Sequence, residues 1–527
     1  MQHLSMRLLK GALLSTTMLV AGFTSSLMAQ EATFVLTQSE VGVPTYNVIA
    51  TGNTNIGAYL IYDTLVVQDA DQSFHPGLAT SWVEAPDGMS WTFELKPDVK
   101  FHNGEPLNAA AVVAWIGLFT GTENAYTTAA IAKAEVTGDL SVKLTMKNPD
   151  PNLLFNMASS FMGVIEPKAF AKMGADYGVT GAVGTGPYKF ESFTVGSETV
   201  LTRNDDYKWG PSLSENKGPA LIQKITLREI AEDSTAFLEL KTGGVDMLLG
   251  VPTDFLGELA KEEKISKITL PGLEVMYMPI NVTKAPFDDI KVRQAAAFAV
   301  NQKEILDNVY GGVGSVANQF LISSLPESKV DPKYLISFDP AKSAALLDEA
   351  GWVKAADGTR SKDGKPLTVT LWTQSDSAFR KLTEVIQAEL KAVGFTAEMT
   401  TFDSASIKDQ YKTGNTQLAV RSYWWANADI VDWFFGGDRL GYPNISMFND
   451  PAAEALRVKA MSGSKNQAER IANFVSYHEY VLSQFTMAPI YQPVQNIAYN
   501  KERLTMPAAI KAPRINSSVV LSMKVNE

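Results

Sequence analysis

The chain contains no cysteine. That removes disulfide scaffolds, cysteine zinc sites, iron–sulfur clusters and thiol nucleophiles together. Histidine is scarce, with only His3, His75, His102 and His478. None opens an HExxH helix and no two have metal-ligand spacing, so they read as ordinary surface or core histidines and no metal site is expected. Positive charge is also short: 46 Lys and Arg face 57 Asp and Glu, a formal charge of −11. Phosphate neutralisation needs clustered cations, so a nucleic-acid partner is not expected. No run of 18 apolar residues occurs beyond the N-terminus, which leaves no spanning segment.

Catalytic motifs are missing as well. There is no GxSxG and no Walker A run. Gly312-Val-Gly314-Ser-Val-Ala317 fits the loose dinucleotide pattern, but it follows a helix and not a strand. It reads as a helix stop. Asp69, Asp71 and Ser73 echo a calcium loop without its glycine and distal glutamate, and read as a turn. A scattered acid pair such as Asp429 and Asp432 stays open as the catalytic set of an exported hydrolase.

The N-terminus carries a targeting pattern. Arg7 and Lys10 precede a short apolar stretch at 11–23, and small residues lead to Ala29. This predicts a secretory signal peptide over residues 1–29. No cysteine follows it, so no lipid anchor is expected. Loss of the two cations takes the net charge from −11 to −13.

Beyond this segment, 45% hydrophobic and 20% charged residues describe a globular protein. The length gives a prior of three to four units of about 150 residues. Strand and helix patterns interleave throughout. Alternation predicts strands at 31–37, 90–95 and 141–146. Capping signals predict helices at 108–119, 235–241, 339–350, 451–460 and 468–484. A single helix is predicted over 291–310. A strand at 366–372, a helix at 377–393 and a strand at 395–401 form a βαβ unit, hence parallel pairing.

One segment is chemically unusual. Residues 418–435 hold six aromatics, and three of the nine Trp lie between 424 and 433. A buried aromatic strand explains this as well as a ligand pocket does. The pocket reading selects Arg421, Tyr423, Trp424, Trp425, Asn427, Asp429, Asp432 and Trp433. Arg421 offers a planar fork to a carboxylate, and the rings offer flat walls.

Several stretches then resemble, in order, the bacterial extracytoplasmic solute-binding proteins of family 5. They are Tyr62-Asp-Thr-Leu, the runs 76–82, 87–95 and 99–107, Val183-Gly-Thr-Gly-Pro-Tyr-Lys-Phe190, Arg203-Asn-Asp-Asp-Tyr207, Gly243-Gly-Val-Asp246, and the runs 286–295 and 299–305. The resemblance implies an α/β fold of type II: a two-lobed periplasmic binding protein with an additional inserted domain in the first lobe. Residues 30–55, 185–272 and 491–527 would form the first lobe's sheet domain, 56–184 the insertion and 273–490 the second lobe. The chain would cross between lobes near 274–280 and 487–492. A small solute would be captured by hinge closure and handed to the transmembrane permease subunits of an ABC importer. No cofactor, no catalytic residue and no membrane anchor are implied, and a periplasmic monomer is expected.

Asn427 matches the position where peptide-binding members carry an amine-clamping Asp, so plain dipeptides are not the expected ligand. Arg421 matches a carboxylate-binding Arg of oligopeptide members. Asp429 or Asp432 would replace the missing charge. Peptide-like, glutathione-like and opine-type ligands remain open, as do sugar- and nickel-binding members of the same family.

Overall fold

The computed structural model describes residues 30–37, 40–403 and 406–526. The signal-peptide segment 1–29 lies outside these. Alternating burial shows why the strands form where they do. In Ser90–Leu95, Trp91, Phe93 and Leu95 are buried and Glu94 is exposed, the period of a sheet with one dry face.

The first lobe is built on a seven-stranded sheet. Its order is Ile265–Leu270, Gln495–Asn500, Met247–Leu248, Glu31–Val35, Lys224–Arg228, Glu198–Arg203, Tyr188–Thr194. The strand Glu31–Val35 pairs in parallel with both neighbours, and the remaining pairs are antiparallel. A four-stranded antiparallel sheet, Ala79–Glu84, Ser90–Leu95, Ser141–Met146 and Ile131–Gly138, belongs to the inserted stretch. The second lobe carries an antiparallel sheet ordered Ser315–Val316, Met487–Gln492, Glu274–Pro279, Arg421–Trp424. Beside it lies a parallel sheet of Thr396–Phe402, Thr368–Gln374 and Leu418–Ala419. The helix Ser377–Val393 makes the crossover, burying Leu382, Ile386, Leu390 and Val393 on one face.

The apolar side chains separate in the same way. One large core runs from Ala32 to Leu270 and resumes at Ile497; the other runs from Leu273 to Tyr491. Each fully buried Leu, Ile or Phe contributes roughly 1.5–3 kcal/mol of burial, so two cores of this size stand as separate packing units.

Two expectations shift. The helix expected at 291–310 is two helices, Ile290–Ala299 and Gln302–Asn308. Val300 is extended, and the Asn301 side chain accepts from the Glu304 amide. A capping Asn competes with helix continuation, which ends one helix and starts the next. The expected crossing regions 274–280 and 487–492 are paired strands within the second sheet. The chain passes between the sheets at 271–273 and 493–494. There Gln492 Nε2 donates to the Gly272 carbonyl at 3.0 Å and Gln495 Nε2 to the Pro271 carbonyl at 2.9 Å. The two crossings therefore lie side by side.

The motif residues turn out to be fasteners. Asp63, buried, accepts from the Tyr207 hydroxyl at 3.0 Å, the Thr185 hydroxyl at 3.0 Å and Trp209 Nε1 at 3.1 Å. Three separate motifs meet on one carboxylate. Burial raises its pKa to about 6, and these donors oppose that rise. Asp246 likewise ties the Thr33 amide (2.8 Å) to Arg503 (3.1 Å).

Candidate functional site

A cavity of about 340 Å³ lies between the lobes. Asn53, Thr54, Tyr59, Tyr62, Trp209 and Arg514 line it from the first lobe; Leu273, Trp424, Trp425 and Ala426 line it from the second. A neighbouring cavity of about 540 Å³ shares Glu40, Trp424 and Arg514 with it and adds Glu274 and Ser422. The Arg514 guanidinium sits 4.1 Å from the Trp424 ring centroid and 5.5 Å from that of Tyr59. This contact bridges the lobes, and Arg514 and Trp424 line both chambers.

Strand alternation decides which aromatic residues face the cleft. Along Arg421–Trp424, Arg421 and Tyr423 are buried, Ser422 is half-buried and Trp424 is 43% exposed. The period of two sends the first pair into the second lobe and the other pair to the cleft. Tyr423 accordingly donates its hydroxyl to the Phe320 carbonyl. Arg421 donates to the Pro443 carbonyl at 3.2 Å, with the rings of Tyr411, Phe434 and Tyr442 about it at 5.0–5.3 Å. No carboxylate among the described residues pairs with it.

The remaining candidates divide too. Trp425 lines the cavity and donates from Nε1 to Asp429 at 2.6 Å. Its ring meets Phe155 edge-on at 5.3 Å. Asp432 is fully buried and held by Arg439 (2.8 Å) and Arg457 (2.6 Å), a structural ion-pair group. Trp433 lies under the Arg439 guanidinium at 4.3 Å. Neither lines either chamber.

Asn427 and Asp429 belong to a buried contact between the lobes. Asn152 sits just before the helix Leu153–Ala158, whose Leu153 and Met157 belong to the first core. Its Oδ1 accepts from Asn427 Nδ2 and from Arg470 Nη2, both at 3.0 Å. Its Nδ2 donates to Asp429 at 3.4 Å. Arg470 also holds Asn427 Oδ1 and forms an ion pair with buried Glu327. Burial pushes the Asp429 carboxyl up to about 6, while Trp425 and Arg470 pull it back. Asn427 therefore spends its amide on the neighbouring lobe.

Sequence reasoning missed Glu40, Tyr59, Asn152, Arg470 and Arg514. None carries a local signal. Arg514 arrives on the C-terminal tail and Glu40 on the loop after the first strand, so only the fold brings them to Trp424.

Among the described residues no histidine lines either chamber. His102 Nε2 lies 3.0 Å from the Gly186 carbonyl, and His478 Nε2 accepts from the Phe320 amide at 3.2 Å. Burial depresses them to about 4 and about 3. Asp69, Asp71 and His75 place ligand atoms within 4.8 Å of one another. Ser73 takes up Asp71 and His75 in a solvent-facing turn. Among the described residues no helix is long and apolar enough to cross a membrane.

Residues 73–440 match the sequence profile of the bacterial extracellular solute-binding proteins, family 5 Middle. The chain is 29% identical over 432 residues to a glutathione-binding protein, GsiB, of Pectobacterium atrosepticum, covering 77% of this chain and 80% of that protein. It is 29% identical over 399 residues to the nickel-binding periplasmic protein of Escherichia coli K12, covering 72% and 73%. Among solved structures, NikA from Brucella suis in complex with Fe(III)-EDTA superposes with a TM-score of 0.80 at 26% identity, covering 93% of this chain and 99% of that one.

Proposed function

The chain belongs to the bacterial extracellular solute-binding proteins of family 5, and we propose that it is the exported, periplasmic binding component of an ABC importer. In this reading residues 1–29 are the signal peptide. Residues 30–55, 185–272 and 491–527, with 56–184 inserted, form the lobe that closes on 273–490. The protein captures a small polar solute (peptide-like, glutathione-like or an opine-type conjugate) and delivers it to the permease subunits as a monomer, without catalysing a reaction.

The observation that carries this reading is the cavity whose walls come from both lobes. A ligand touching Tyr62 and Trp209 on one side and Trp425 on the other has more contacts in the closed form. That differential contact is what shifts a hinge equilibrium. Flat aromatic walls with few polar groups suit a small organic solute.

Native mass spectrometry of freshly purified mature protein tests it. A stoichiometric small-molecule adduct is expected in the wild type. In Trp425→Ala, loss of one ring wall and of the Asp429 hydrogen bond is expected to reduce occupancy at least about tenfold. Turnover of the released compound by the protein, or equal occupancy in the variant, would contradict the proposal.

A further inference from the structure

The cavity holds one guanidinium whose donors have no protein partner. Arg514 makes no hydrogen bond or ion pair among the described residues; its guanidinium lies against the rings of Trp424 and Tyr59. Ring contacts of this kind leave the N–H donors of a guanidinium available for a further partner. Those donors are the fork that matches a carboxylate. The same chambers hold an acid in a complementary state. Glu40 Oε2 is buried without a hydrogen-bond partner. Burial raises the Glu40 carboxyl to about 7, and the Arg514 charge acts on it through space to lower it. A buried polar atom left unpaired costs about 1–3 kcal/mol, so an occupant that hydrogen-bonds Glu40 Oε2 is favoured.

The geometry points to Arg514 as the carboxylate anchor of the cleft, and to a ligand that carries a carboxylate at one end and a hydrogen-bonding nitrogen, facing Glu40, at the other. This rests on the reading of the interlobe cavity as the ligand chamber. Arg421, which the sequence singles out for a carboxylate, is turned away by strand alternation and enclosed by three rings. Trp424 belongs to the second lobe and Tyr59 to the first, so the stack that orients Arg514 exists only when the lobes are together. The carboxylate is therefore read by the closed form, and its binding energy is directed to closure.

The test is a titration of intrinsic Trp fluorescence in the full mature protein. The probes are glutathione, octopine, histidine with and without Ni²⁺, and alanyl-phenylalanine, each beside its carboxamide counterpart, with glucose and maltose as neutral probes. At least one acid is expected to bind, and its carboxamide about 100-fold more weakly. Arg514→Gln is expected to lose about 100-fold for the acid and little for the amide. Arg514→Lys, which keeps the charge but not the fork, is expected to lose about tenfold. An Arg514→Gln protein that binds the acid as the wild type does would overturn the anchor. So would a wild type that takes no acid, or one that takes only the neutral sugars. Trp425→Ala separates the two claims. If both variants bind the acid normally, the chamber itself is wrong; if only Arg514→Gln does, the chamber stands and the anchor falls. An unchanged melting temperature of the ligand-free variants excludes misfolding as the cause.

Discussion

Arg470→Met is expected to destabilise the second lobe by about 3–5 kcal/mol and to free the lobes from each other. Arg470 is 4% exposed and Glu327 is 1% exposed. Removing the cation leaves a carboxylate in a dry site with no countercharge, which costs far more than the pair itself contributes. The same guanidinium holds Asn152 of the first lobe and Asn427 of the second. Thermal melting should show a large drop for Arg470→Met. Asn152→Ala, which cuts only the interlobe bonds, should cost about 1 kcal/mol. Equal losses in the two variants would mean that Arg470 acts as interlobe glue alone and not as the partner of Glu327.

The second large effect is expected at the crossing between lobes. A methyl group on Gly272 would lie 1.5 Å from the Pro493 carbonyl oxygen and 2.7 Å from its carbon. Both are backbone atoms, so no side-chain rotation relieves the clash. Gly272→Ala must push the two crossing segments apart and break the 3.0 Å bond from Gln492 to the Gly272 carbonyl. A cost of about 3 kcal/mol is expected, at the upper end for overpacking. A lowered melting temperature together with weakened ligand binding is the expected result. Wild-type stability would show that the crossings are looser than their contact implies.

Local rules made much of the fold legible. The helix Ser377–Val393 ends at Gly394 in the left-handed conformation (φ 109°), as a glycine stop predicts. Asn108 and Asp339 cap the helices that follow them. The parallel pair around Ser377–Val393 follows from its βαβ pattern. Where two rules competed, local pattern was not enough: helical spacing runs through 291–310, and only the Asn301 cap breaks it.

The site was less legible, for a physical reason. Composition flags residues 418–435 as unusual, but it carries no phase. Alternation along Arg421–Trp424 sends half of the attractive side chains inward, where they pack as core. Asn427, Asp429 and Asp432 find partners on distant segments, Asn152, Arg470 and Arg457, and Asp432 also pairs with nearby Arg439. The cleft guanidinium that has no hydrogen-bond or ion-pair partner among the described residues comes from residue 514, about ninety positions away from Trp424 in sequence. Contacts that long-range are set by topology, and one-dimensional spacing does not report them.

The central claim is that the lobes close on a ligand held between them. Because the chain has no cysteine, two can be introduced without background. Ser81→Cys and Lys465→Cys place spin labels at exposed positions beside Trp82 and Ser464, which face one another across a groove between the lobes. Their distance distribution, measured by double electron–electron resonance with and without the co-purified ligand, is the direct test. The predicted result is a broad distribution in the stripped protein that becomes shorter and narrower on stoichiometric reloading. Identical distributions in the two states, with ligand bound, would contradict the account.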